Sequence, residues 1–183
     1  QCGITGWENM GTRPFPGQVR GWAWQAVAHG AETVVFFRWR SCLYGTEQFW
    51  HGILGHDGIP RRRYREVSTL AKEFAKLSPY IDDTQVVSEV AILQDYEQHY
   101  AYQIQPQAQG LGFWEQVLRY YEPLWKLGVN VDIIHPGMDL SRYKVVIAPG
   151  IYILSEETAD HLRQYVQNGG TLLLNPRTGV KNV

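Results

Sequence analysis

Apolar and polar positions follow two periods along this chain, and the change of period divides it. Residues 18–29 place Trp22, Gln25, Ala26 and His29 on one face at helical spacing, behind the stiff entry Arg13-Pro14-Phe15-Pro16-Gly17 and ahead of a C-capping Gly30. Thr33-Val34-Val35-Phe36-Phe37-Arg38-Trp39 is β-branched and aromatic without a turn residue, which predicts a buried strand. A long loop, 40–60, precedes a helix predicted over 61–77, with Tyr64, Val67, Leu70, Ala71, Phe74 and Leu77 on one face and Ser78-Pro79 ending it. Beyond residue 84 the alternation is plainer. Apolar runs at 89–93, 129–134, 144–148 and 171–174 predict strands, and helical patterns fill 113–127 and 155–168, the latter closed by Gly169-Gly170. Strands alternating with helices of this length predict a parallel, doubly wound sheet.

The two halves differ as folding units. Residues 84–183 suffice for an open α/β sheet of about four strands. Residues 1–80 offer loop, helix, strand and helix, and a lone buried strand has no partner for its backbone groups. The first half therefore reads as a slice of a larger sheet or barrel, and the chain as a fragment.

Composition narrows the classes. Of 183 residues, 44% are hydrophobic and 19% charged, which excludes disorder, and Lys+Arg 17 against Asp+Glu 18 leaves no basic field for nucleic acid or an anionic membrane. No apolar run approaches a membrane span, and no leader pattern opens the chain. Two cysteines, Cys2 and Cys42, make no disulfide framework, and scarce cysteine without a leader suits the cytoplasm. The skew is aromatic: 13% of residues, with Trp7, Trp22, Trp24, Trp39 and Trp50 all in the first fifty. Such side chains either fill a core or stack on sugar rings with a polar tip left wet.

Candidate chemistry gathers in the loop after the first predicted strand. Glu47, Gln48, Trp50 and His51 bring a carboxylate, an amide, a stacking face and an imidazole within five residues, at a place where β/α barrels carry functional groups. Glu47 and His51 either bind a polyhydroxylated ligand or merely pair with each other; a metal site with His56 and Asp57 lacks any fixed third-ligand spacing. Arg61-Arg62-Arg63-Tyr64-Arg65 reads as a solvated helix start that needs carboxylate partners such as Glu66. In the second half the predicted strand 144–148 runs into Pro149-Gly150-Ile151, where a nucleophile-elbow enzyme would carry Ser or Cys, and neither is there. Gln94-Asp95-Tyr96-Glu97-Gln98 carries two carboxylates and no glycine, so it would repel a phosphate. This half reads as a scaffold. Its Tyr96, Tyr100, Tyr102, Trp114, Tyr120, Tyr121 and Trp125 serve either a subunit contact or the core.

Several ordered segments carry a resemblance. Pro16-Gly17-Gln18-Val19-Arg20, Trp22 through Ala31, Phe37-Arg38-Trp39-Arg40 and Glu47-Gln48-Phe49 resemble the β-galactosidases of glycoside hydrolase family 42. Ala148-Pro149 and Tyr165-Val166 through Gly169-Gly170-Thr171 resemble that family's middle domain, which is similar to class I glutamine amidotransferases without their cysteine. The resemblance implies the fold class: an α/β chain made of the C-terminal slice of a (β/α)8 TIM barrel, residues 1–80, then a flavodoxin-like, amidotransferase-like trimerisation domain, residues 84–183. It implies a retaining hydrolase of terminal β-galactosides, homotrimeric, with no cofactor and no metal. Retention needs two glutamates about 5 to 5.5 Å apart. By the family's pattern both precede this chain, the nucleophile by about two residues before Gln1. Neither Glu8 nor Glu32 replaces them, so the resemblance places no catalytic residue here and implies an inactive isolated fragment. It assigns substrate-binding roles to Trp7, Glu47 and His51. Some members read Glu-x-x-His where this chain has Glu47-Gln48-Phe49-Trp50-His51, so Trp50 and His51 compete for the histidine's place, and the hydrogen-bonding imidazole favours His51. The rival readings are an amidotransferase-like enzyme, denied its nucleophile, and a non-catalytic carbohydrate-binding or oligomerisation module.

Overall fold

A computed structural model describes residues 12–106 and 108–182. The chain divides into two compact units, Gln1–Val86 and Val87–Val183.

In the first unit, helix α1 (Gln18–Ala28) packs on helix α2 (Arg62–Ile81). Val19 and Ala23 are the buried positions of α1, one turn apart. Trp24 reaches α2, its ring edge-on to Phe74 at 4.7 Å and its indole N–H donating to Glu73, which also holds Arg20. This corrects the face expected for α1: Gln25, Ala26 and His29 are exposed, because the contact with α2 selects the Val19–Ala23 stripe. The C-terminus behaves as expected, Gly30 and Ala31 donating back to Val27 and Ala26. Helix α2 does not stop at Ser78-Pro79. It runs to Ile81 with Pro79 inside it, and Asp82 N–H still bonds Ser78 O at 2.8 Å, so the missing donor of Pro79 costs one bond without breaking the last turn. Of its expected face, Leu70 is buried and Tyr64, Val67 and Phe74 are half-buried, while Ala71 and Leu77 are exposed.

The strand expected at 33–39 is not formed. The segment makes no ladder, and only a parallel bridge, Arg40 to Leu54, follows it. Val35 is 78% and Trp39 63% exposed, so a run with the composition of a buried strand stands uncovered. Among the described residues of this unit only 53–54 pairs with the end of this segment, and residues of such composition form strands only against neighbours.

The second unit is a four-stranded parallel sheet in the order β2-β1-β3-β4, built from β1 (Val90–Leu93), β2 (Val131–Ile134), β3 (Val145–Ala148) and β4 (Thr171–Leu174). Helices α3 (Tyr96–Ile104) and α4 (Phe113–Lys126) join β1 to β2, and α5 (Glu156–Gln167) joins β3 to β4. Right-handed crossovers running in opposite directions from the β1–β3 pair place α4 and α5 on opposite faces, which is the flavodoxin-like arrangement. The central strands are the most buried: Ala91, Ile92, Leu93, Val146 and Ala148 have no exposed surface. Phe113 and Val117 of α4 and Leu162 and Tyr165 of α5 complete this core. Burial raises the Tyr165 phenol above its usual pKa, and its hydroxyl donates to Tyr143 O at 3.1 Å. All four expected strands and both expected helices of this unit are present to within two residues at each end. Helix α3 was not expected; Asp95 caps it, accepting from Glu97 N–H and from Gln98 Nε2. Among the described residues no helix is long and apolar enough to cross a membrane.

Candidate functional site

The loop that carries Glu47 is closed at its base by backbone pairing. Ile53 N–H donates to Arg38 O at 2.7 Å, Leu54 N–H to Trp39 O at 2.8 Å and Ser41 N–H to Leu54 O at 3.2 Å. The buried Ser41 hydroxyl accepts from Gly52 N–H at 2.9 Å, so residues 42–51 leave and return at one fixed point. Within the loop, tight turns follow: Gln48 N–H bonds Gly45 O, and Trp50 N–H bonds Glu47 O.

Among the described residues Glu47 is held by one partner. Its Oε2 accepts from Arg38 Nη1 at 2.6 Å, with the two side chains 36% and 30% exposed. A single-point pair of this kind orients a carboxylate and leaves its other oxygen free to accept from a ligand hydroxyl. His51 is placed differently. Among the described residues its buried Nδ1 finds no hydrogen-bond partner, and burial, helped by the charges of Arg63, Arg13 and His56, lowers its pKa below the ordinary 6.5. Burial first, then a cationic neighbourhood, disfavours the charged imidazole, and among the described residues Glu47 pairs with Arg38 rather than with His51.

The other candidate groups are spent locally. His56 Nε2 contacts Gln48 O at 2.7 Å, and Asp57 pairs with Arg61 at 2.6 Å. The Ile59 N–H, then Arg61, hold the Asp57 carboxyl below its usual range. Among the described residues no three metal-ligating side chains converge. The arginine run finds its carboxylates: Arg61 on Asp57, and Arg62 on Glu66 at 3.0 Å, with Arg62 also donating to Pro14 O. Trp7 lies outside the described residues.

In the second unit the crevice beyond the carboxyl ends of β1 and β3, where such sheets bind ligands, is filled. Gly150, at φ +59, is closely covered: a Cβ there would lie 2.6 Å from Tyr102 Oη and 2.9 and 3.1 Å from the Gln116 amide, so those side chains would have to shift. Asn175 locks the plug, accepting from Gly150 N–H and donating to Gln116 Oε1 at 2.7 Å. Buried Gln98 ties α3 to the segment after Gly150, donating to Ile153 O and accepting from Ile153 N–H. The elbow therefore lacks its nucleophile in sequence and the room for one in space. Sequence reading missed this polar plug, although Asp95-x-x-Gln98, an N-cap followed by its N3 amide, was the available sign of α3.

The chain matches two family models over nearly its whole length, "Beta-galactosidase" at residues 1–77 and "Beta-galactosidase trimerisation domain" at residues 88–183. It is 44% identical to the β-galactosidase BgaA of Clostridium cellulovorans, covering 97% of this chain and 27% of that protein. It is 42% identical to the β-galactosidase BgaH of Haloferax lucentense over 100% of this chain and 26% of that protein. The β-galactosidase structure from Bacillus circulans sp. alkalophilus superposes with a TM-score of 0.91 at 34% identity, over 98% of this chain and 27% of that one. The enzyme from the psychrophilic Marinomonas ef1 superposes with a TM-score of 0.90 at 31% identity, over 100% of this chain and 28% of that one. The chain spans about a quarter of the length of the relatives it matches. With the parallel α/β sheet and plugged elbow above, these matches show that the chain belongs to the glycoside hydrolase family 42 β-galactosidases, as the end of the catalytic barrel followed by the trimerisation domain.

Proposed function

We propose that this chain is the sugar-contacting and subunit-contacting part of a retaining β-galactosidase that removes terminal, non-reducing β-D-galactose in the cytoplasm. The observation that carries the reading is Glu47: a half-exposed carboxylate, fixed by Arg38 and with one oxygen left over, on a loop with a closed base. Such a group accepts hydrogen bonds from galactose hydroxyls, and in this reading Trp7 contributes a ring face and His51 an imidazole to the same sugar. The chemical step needs two carboxylates about 5 to 5.5 Å apart, and those belong to the part of the enzyme N-terminal to Gln1. Residues 1–80 act as the barrel's end and 84–183 as the assembly domain. The uncovered side chains of Val35, Phe37 and Trp39 suit packing against earlier barrel strands.

The test is Glu47→Gln in the longer enzyme, assayed on an aryl β-galactoside. Removing a charge-assisted acceptor lowers kcat/KM by about 10- to 100-fold. Unchanged kinetics would remove Glu47 from the sugar site.

A homotrimer is the assembly this reading requires. Tyr96, Tyr100 and Trp125 are 60%, 57% and 61% exposed, an amount of aromatic surface suited to subunit contacts. Sedimentation of the longer enzyme at three times its monomer mass is expected; a monomer at working concentration would contradict it.

A further inference from the structure

Arg38 stands at the base of the Glu47 loop and reaches into it. Its backbone belongs to the closed base, the carbonyl accepting from Ile53 N–H at 2.7 Å. Its side chain spans a separation of nine residues to bring Nη1 within 2.6 Å of Glu47 Oε2. The guanidinium carbon also lies 5.2 Å from the centroid of the Phe37 ring, within cation–π reach.

The base leaves little slack. A Cβ on Gly52 would lie 2.4 Å from Ser41 N, 2.5 Å from Arg40 C and 2.8 Å from Arg40 Cα, all backbone atoms that cannot swing aside. The closing limb of the loop therefore rests on the opening limb at a contact that a side chain would push apart. Further out, the Glu47 backbone is caught between two turns, Gln48 N–H on Gly45 O and Trp50 N–H on Glu47 O. With both backbones fixed, the rotamer of Glu47 is the remaining freedom, and among the described residues Arg38 is the group that restricts it.

The pair adds little to folding. Its side chains are about a third exposed, and single ion pairs that water reaches contribute little stability. What a guanidinium adds over a simple cation is direction, because its planar fork restricts where the bound carboxylate oxygen sits. We propose that Arg38 is a positioning residue for the galactosidase reaction. It acts through Glu47, holding Oε2 so that Oε1 is turned toward a sugar hydroxyl, and itself touches neither the sugar nor the reacting atoms. The assignment rests on the sugar-site reading of Glu47 given above.

The test is a double-mutant cycle in the longer enzyme, assayed on an aryl β-galactoside: Arg38→Met, Glu47→Ala and the two combined, with Arg38→Lys as the conservative variant. Arg38→Met is expected to lower kcat/KM at least about tenfold, dividing the loss between kcat and KM in the same way as Glu47→Ala. Arg38→Lys, which keeps the charge without the fork, should recover part of it. Once residue 47 is alanine nothing is left to position, so adding Arg38→Met should cost less than about threefold more. A loss as large in that background as in the parent would mean that Arg38 acts on the sugar or on the loop as a whole, and unchanged kinetics in Arg38→Met would mean that Glu47 needs no guide. Either result overturns the proposal. Where Arg38→Met does not fold, the same cycle run with Arg38→Lys decides. Failure of the underlying reading looks different: Glu47→Ala alone would then leave kcat/KM unchanged, and the assignment would fall with it.

Discussion

Gly150→Ala puts a single methyl group into the plugged crevice of the second unit, and its cost separates two accounts of that crevice. If the crevice were an open ligand site, the added Cβ would meet solvent. In the structure it meets Tyr102 Oη at 2.6 Å and Gln116 Oε1 and Nε2 at 2.9 and 3.1 Å, all on side chains at most 7% exposed. Gln116 cannot retreat without losing the bond from Asn175 Nδ2 at 2.7 Å. Two terms add. A left-handed alanine costs about 1–2 kcal/mol, and overpacking a closed site costs about 1–3 kcal/mol, so about 2–5 kcal/mol is expected. Gly128→Ala in the same unit is the control: Gly128 has φ +71 but nothing within 4 Å of a Cβ, so only the conformational cost of about 1–2 kcal/mol applies. Urea unfolding followed by hydrogen exchange in the peptides covering β1 and β3 reads this unit alone. Equal losses in the two variants would refute the filled crevice.

Three further expectations follow from the same contacts. Asn175→Ala leaves the Gly150 N–H without an acceptor and the Gln116 carbonyl without its donor, and is expected to cost about 1–3 kcal/mol in the same exchange experiment; a loss within error of zero would mean water replaces the amide. Ser155 caps α5 by accepting from Thr158 N–H at 3.1 Å, so Ser155→Ala should cost about 1 kcal/mol with an unchanged m-value, and a stabilised variant would contradict the cap. His51 has a folded pKa below 6.5, so as pH falls from neutrality the unfolded chain takes up its proton first. The first unit should therefore lose stability as pH drops below about 6.5, down to the depressed folded pKa, and His51→Gln should flatten that part of the profile; parallel profiles would show that burial and the charges of Arg63, Arg13 and His56 do not lower the His51 pKa.

How far the sequence reached depended on whether an element's partners lie on the same chain. The second unit satisfies itself: 90–93 and 145–148 are continuous apolar runs because they are central strands covered on both faces, and continuous runs are what such strands look like. Helix α5 announced itself through Ser155, Glu156 and Glu157 at one end and Gly169-Gly170 at the other. In the first unit the composition of 33–39 predicts a buried strand and none forms, because strand structure is a property of pairs. The face of α1 was misjudged for a related reason: helical spacing allows several stripes, and only contact with α2 selects Val19 and Ala23. Glu47 was legible as a candidate from residue types alone. Its pairing with Arg38 nine residues earlier was not, nor was the lowered pKa of His51, which depends first on its burial and then on where α2 brings Arg63.

The most direct test measures galactose released from an aryl β-galactoside by the purified 183-residue chain and, beside it, by the enzyme extended upstream of Gln1. Release by the extended enzyme alone is the expected result, since the proposed reading puts the Glu47 loop in both and both catalytic glutamates only in the longer one. Turnover by the 183-residue chain would contradict the account, because the chemistry would then reside on residues given no part in it.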